Sequence, residues 1–189
     1  MSLVIEAPRL RLRPLTAADT EALLSSRGDP EVCRYLPFPP MDATEIARRL
    51  ETQWFRTELA ADDEHVTLGA ELRATGELVG DVILFLKSRA NGNGEIGWVF
   101  HPSVAGQGYA TEAATAMLDW AFGPNELRRV VARLDARNDS SARLCERLGM
   151  RREAHLVENE YFKDELTSEL DYAILSREWA ARREGAPAG

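Results

Sequence analysis

The sequence predicts a mixed α+β domain whose middle is an antiparallel meander, and three observations carry that reading. Strand-like runs at 65–72 and 78–86 flank an Ala74-Thr75-Gly76 turn, and a third run at 95–100 follows the turn Asn91-Gly92-Asn93-Gly94. After His101-Pro102 the apolar spacing changes, because Ala110, Ala113, Ala114, Met117, Leu118 and Ala121 recur at helical intervals. Finally, 189 residues with 44% hydrophobic and 29% charged side chains suit one globular core.

The elements follow in order. Arg9 to Arg13 alternates charged and apolar residues, with Leu10 and Leu12 on one face, as in a half-buried strand. Thr16 caps a helix to about residue 26, with Asp19 as its capping-box partner, and Gly28-Asp29-Pro30 ends it. Pro37, Pro39 and Pro40 stiffen a loop. Asp42 with Glu45 then opens a second helix, expected to reach about residue 59. Beyond the meander and the striped helix come a strand at 130–134, a helix at 140–148 stopped by Gly149, and strands at 151–157 and 170–175. The order is β-α-α-β-β-β-α-β-α-β-β. A single domain over 8–177 is expected, with residues 180–189 fraying.

Charge and cysteine usage exclude several classes. The formal net charge of −8 argues against a nucleic-acid partner, since phosphate contacts need clustered Lys and Arg. The apolar runs are too short to cross a bilayer, and the N-terminus lacks the pattern of a secretory signal. No membrane partner is expected. Cys33 and Cys145 make no disulfide framework, so they read as small buried residues in a reducing cytoplasm. His65, His101 and His155 stand far apart, and no metal is expected.

The most informative stretch is Val104 to Ala113, with Ala105-Gly106-Gln107-Gly108-Tyr109-Ala110-Thr111 at its centre. Two glycines flank one residue after a strand and at the start of a helix. Such a turn either joins the two elements or cradles a pyrophosphate against the unpaired N–H groups of the helix start. A dinucleotide fold is disfavoured, because Thr111 stands where a third glycine would follow. A second block, Asn138-Asp139-Ser140-Ser141 leading to Leu148-Gly149-Met150, is by itself a good helix N-cap.

Together the two blocks resemble the GNAT acetyltransferase superfamily. The first is similar to its acetyl-CoA loop, commonly Gln/Arg-x-x-Gly-x-Gly/Ala, with Ala105, Gly108 and Ala110 at the three positions. Ala105 departs from the usual Arg or Gln. The second resembles the element whose Asn bonds the pantetheine arm and whose Ser lies near the thioester sulfur. The opening Pro8-Arg9-Leu10-Arg11-Leu12-Arg13-Pro14-Leu15, the Glu95-Ile96-Gly97-Trp98 strand and the Gly-Tyr-Ala-Thr-Glu-Ala loop resemble the ribosomal-protein N-terminal acetyltransferase branch.

The resemblance implies a mixed, mostly antiparallel central sheet flanked by about four helices, with acetyl-CoA as co-substrate. Val99, Phe100, Ala105, Gly106, Gln107, Gly108, Tyr109, Ala110, Thr111, Asn138 and Ser141 would hold it. Glu160, whose spacing to Tyr172 matches that branch, and Glu95, as in the histone-type members, compete for the general base; water without a dedicated base is the third option. Ser141, then Tyr161, is the candidate acid for the departing thiolate. Trp54, Trp120 and Trp179 read as core or interface, and Trp98 as facing either side of its strand. The implied activity is direct acetyl transfer to a primary amine, on a protein N-terminus or a small molecule. An amino-sugar or antibiotic acceptor, a succinyl-CoA donor and a non-catalytic acyl-CoA-binding module stay open, as does a homodimer.

Overall fold

The computed structural model describes residues 3–185. Eight strands form one sheet: β1 (Ile5–Glu6), β2 (Leu10–Pro14), β3 (His65–Leu72), β4 (Leu78–Ser88), β5 (Asn93–Phe100), β6 (Arg129–Asp135), β7 (Arg151–Phe162) and β8 (Glu165–Leu175). Their order is β1-β2-β3-β4-β5-β6-β8-β7. Six helices accompany them: α1 (Thr20–Arg27), α2 (Pro30–Cys33), α3 (Ala43–Thr52), α4 (Tyr109–Phe122), α5 (Asp139–Arg147) and α6 (Ser176–Gly185).

Every neighbouring pair of strands is antiparallel except β5 and β6. That parallel pair is short: Asn93, Gly94 and Glu95 register with Arg129, Val130 and Val131, and pairing then stops. Beyond Glu95, β5 stays with β4 while β6 stays with β8, so the sheet splits. The split is the feature on which the site is built.

Strand alternation sends Val66, Leu68, Val82, Leu84, Ile96 and Val130 to one face, where they pack with Met117 and Leu118 of α4 in the main core. The opposite face carries α1 and α3 over a smaller core of Leu15, Leu23, Met41, Ile46 and Trp54. Asp81 points to that second face and forms a buried two-pronged pair with Arg27 of α1, at 2.9 and 2.5 Å. The Arg27 guanidinium also lies over Trp54 (4.8 Å) and Phe38 (5.1 Å).

The predicted caps form. The Asp19 carboxylate accepts from the Thr16 amide (2.7 Å) and hydroxyl (3.0 Å), and Asp42 accepts from the Glu45 amide (2.8 Å). Three readings need correction. The second helix ends at Thr52 rather than near 59, because Gln53 leaves helical geometry and turns Trp54 into the smaller core. The stretch at 151–157 continues to Phe162 across a register shift between Leu156 and Glu160, where Glu158 takes φ 49°. Residues 180–185, expected to fray, belong to α6; Trp179 Nε1 donates to Asp119 (2.8 Å) and Arg182 to the Arg147 carbonyl (2.7 Å). Residues 186–189 lie outside the described part. No helix among the described residues is long and apolar enough to cross a membrane.

Candidate active site

Two cavities meet at the split in the sheet. The larger, about 1160 Å³, runs between the end of β5, the start of α4 and the first turns of α5. The smaller, about 250 Å³, lies on the α1–α3 side of the sheet. Tyr35, Leu36, Trp98, Val99, Asn138 and Ser141 line both. An occupant of either space therefore touches these same side chains.

The floor of the larger cavity is a row of free amides. Gly106 and Gly108 take φ 78° and 81°, a region that side chains with a Cβ rarely adopt, and this turns the chain into α4. The first bond of α4 runs from the Glu112 amide to the Gly108 carbonyl (3.0 Å), so the amides of Tyr109, Ala110 and Thr111 precede any helical partner. Those of Gly106 and Gly108 also have no backbone acceptor among the described residues. Unpaired N–H groups at a helix start attract a phosphate. A Cβ on Gly106 would meet nothing within 4 Å, which marks open space above the loop.

The loop is held from behind by a clamp that the sequence did not reveal. Glu112 accepts from the Arg9 amide (2.6 Å), the Leu10 amide (3.1 Å) and Arg9 Nε (2.7 Å). Arg9 Nη1 donates to the Gln107 carbonyl (3.0 Å), and its guanidinium lies 4.5 Å from the Tyr109 ring centroid. The partners are 103 positions apart, so no local pattern could pair them. Gln107 is the one predicted loop residue that does not line the cavity, since its Nε2 turns to the Ser103 carbonyl (3.2 Å). Val99, Phe100, Ala105, Gly106, Gly108, Tyr109, Ala110, Thr111, Asn138 and Ser141 all line it. Arg143 and Arg147 bring positive charge to the same wall, and Arg147 Nε donates to the Thr111 hydroxyl (3.2 Å).

Hydrogen bonding in an antiparallel ladder alternates. The His101 amide donates to the Val79 carbonyl (2.9 Å), so Phe100 and Trp98 turn their backbone groups the other way, toward β6. Pairing with β6 has already ended there. These amides face the gap, whereas the Val99 amide is spent on β4. Across the gap, Asn138 caps α5 through Oδ1, which accepts from the Ser141 amide (3.1 Å); its Nδ2 makes no hydrogen bond among the described residues. The Trp98 indole faces α5 and donates from Nε1 to Ser141 Oγ (3.2 Å).

The smaller cavity holds the titratable groups. Glu95 lines it, with Arg133 Nη1 at 3.6 Å. Across β4, Phe85 pairs with both Glu95 and His65, which puts the three in one row. Burial lowers the His65 pKa, and Arg56 and Arg49 lower it further, so the imidazole is neutral at pH 7. Glu160 and Tyr161 do not reach either cavity. Both are exposed near the tip of the β7–β8 hairpin, and the Tyr161 hydroxyl donates to the Asp164 carbonyl (3.1 Å). The physical reason is position along the hairpin: β6 pairs with β8 only as far as Glu169, β7 carries two extra residues between Leu156 and Glu160, and Glu160 pairs with Thr167 beyond that edge. Among the described residues no cluster of His, Cys, Asp and Glu is placed to hold a metal.

Residues 9–151 match the family described as acetyltransferase (GNAT) domain. The chain belongs to the GNAT acetyltransferases. It is 31% identical over 178 residues to the uncharacterized N-acetyltransferase YnaD of Bacillus subtilis (strain 168), covering 93% of this chain and 98% of that one. Among solved structures, the GNAT-family acetyltransferase from Bacillus anthracis superposes with a TM-score of 0.83 at 30% identity, covering 93% of this chain and all of that one. The spermidine N-acetyltransferase from Vibrio cholerae, in complex with CoA and spermine, shares the fold at TM-score 0.78 and 19% identity, over 91% and 98% of the two chains.

Proposed function

We propose that this GNAT enzyme is an acetyl-CoA-dependent N-acetyltransferase that passes the acetyl group directly to a primary amine within a ternary complex. One observation carries the reading. A long cavity floored by free amides shares a wall, at the split in the sheet, with a smaller cavity that holds a carboxylate. The residues fit the co-substrate: the Gly106–Thr111 amides suit its pyrophosphate, Asn138 Nδ2 and the Phe100 amide suit its pantetheine and carbonyl, and the V. cholerae protein of the same fold is described with CoA. Acetyl-CoA supplies an activated thioester.

The protein's own groups then manage protons and orientation. The cavities' shared wall of Trp98, Val99, Asn138 and Ser141 fixes where the amine meets the acyl carbon. As the N–C bond forms and the C–S bond breaks, Glu95 takes the amine proton through water in the smaller cavity, the Ser141 hydroxyl gives one to the departing thiolate, and the proton taken by Glu95 is returned through water to Ser141. The Trp98 indole occupies a lone pair of Ser141 Oγ and so leaves its proton free for that task. Both cysteines are buried and unpaired, which suits work in a reducing cytoplasm.

Thiol release from acetyl-CoA with a panel of amines tests the reading. Glu95→Gln is expected to keep acetyl-CoA binding and lose about a hundredfold or more in turnover. Glu160→Gln is expected to be near wild type. An active Glu95→Gln beside a dead Glu160→Gln would move the base to the hairpin, and no transfer to any amine would refute the activity.

A further inference from the structure

The two ends of the smaller cavity differ in chemistry. At the junction stand Trp98, Val99, Asn138 and Ser141, whereas Arg49, Gln53 and His65 line only the smaller cavity. These three present hydrogen-bond donors in excess. Arg49 Nε donates to Glu45 at 2.7 Å, but both of its Nη groups make no hydrogen bond among the described residues. The Gln53 side-chain amide and the His65 ring make none either. Phe38 and Trp54 flank the Arg49 guanidinium at 6.0 and 5.8 Å from their ring centroids, which holds the fork against the wall.

The other charges of the cavity are already answered. Arg27 is closed on Asp81 by two bonds, and Glu95 faces Arg133. Arg49 shares its one carboxylate, Glu45, with Arg48, so an amine with a second positive charge would meet excess positive charge there. A ligand anion would satisfy an unspent two-pronged donor in an aromatic-walled space, where a charge-assisted bond is strengthened.

Resting on the acetyl-transfer reading, we infer that the acceptor is a small primary amine that also carries a carboxylate, with Arg49 as the residue that reads it. The acceptor's body lies along Phe38, Trp54 and Phe85, its amine at the Ser141 end and its carboxylate at Arg49, assisted by Gln53 and His65. The cavity's 250 Å³ suits a molecule of about the size of an aromatic amino acid, and its walls read the charge that a peptide amide lacks.

A matched pair tests this: 4-(aminomethyl)benzoate and 4-(aminomethyl)benzamide differ only in that charge, and spermidine serves as the cationic control. Wild type is expected to favour the benzoate over the amide by about ten- to a hundredfold in kcat/KM, and to rank spermidine last. Arg49→Met should bring the ratio near one, and Arg49→Lys should restore part of it. The acetyl-CoA-induced rise in melting temperature shows that each variant is folded. A wild-type ratio of one or below, or a preference for spermidine, overturns the inference while leaving acetyl transfer intact. If no amine is acetylated, the acetyl-transfer reading fails by itself. The inference then stands or falls on whether the benzoate raises the melting temperature more than the amide, and only with Arg49 present.

Discussion

Asn138 shows how one side chain serves the helix and the ligand at once. Its Oδ1 caps α5, and its Nδ2 remains without a partner on the wall shared by both cavities. The two uses separate by substitution. Asn138→Asp keeps the capping oxygen and replaces the N–H donor with a second acceptor, so stability should change by only a few tenths of a kcal/mol. The Michaelis constant for acetyl-CoA should rise severalfold. Asn138→Ala should lose about 1 kcal/mol as well, the usual worth of a cap. Equal cofactor constants for wild type and Asn138→Asp would confine the residue to its cap. Ala105 teaches the complementary lesson: the loop lacks the usual long side chain there, and Arg9 reaches the loop from β2's approach instead, through the Gln107 carbonyl, Tyr109 and Glu112.

At the level of elements, the sequence was most legible where local chemistry decides. The Thr16–Asp19 and Asp42–Glu45 caps, the β3–β4 turn and the glycine pair before α4 all depend on residues within a few positions of one another, and all formed as read. Long-range pairings were hidden. The Arg9–Glu112 clamp, the end of α3 at Thr52 and the two-residue register shift that carries Glu160 out beyond β6 depend on partners that no short window contains. The outer strands give a test at this scale. Glu153 of β7 is held down to about 2 by hydrogen bonds from Arg129 of β6, with burial opposing and Arg151 assisting. Its pKa is depressed in the folded state, so its stabilisation is present above the ordinary carboxylate range and is lost as pH falls from about 4.5 toward 2. The urea midpoint should decline across that window, and Glu153→Gln should decline less steeply from a lower starting point. Identical slopes for the two proteins would assign the acid sensitivity to other carboxylates, such as Asp19, where hydrogen bonds from Arg13 and Thr16 outweigh the upward push of burial.

For the molecule as a whole, a buried ion pair joins the two layers that build the smaller cavity. Asp81 is fully buried on β4, Arg27 is buried at the end of α1, and their pair ties the α1–α3 layer to the sheet beneath it. Arg27 also lines the smaller cavity and stacks on Trp54, so the same contact sets the cavity's shape. Two buried charges that satisfy each other cost much to separate, because the survivor is left unpaired away from water. Asp81→Leu alone should therefore destabilise the fold by about 3–5 kcal/mol, a fall in melting temperature on the order of 10 °C for a chain of this length. Arg27→Met combined with Asp81→Leu removes both charges and should recover most of that loss. The double variant then isolates function from folding. It should still be stabilised by acetyl-CoA, whose cavity Arg27 and Asp81 do not line, while the Michaelis constant for the amine rises as the wall beside Trp54 loosens. A double variant as unstable as Asp81→Leu would show that the pair supplies geometry no apolar replacement can mimic. One with an unaltered amine constant would detach the layer contact from the shape of the cavity.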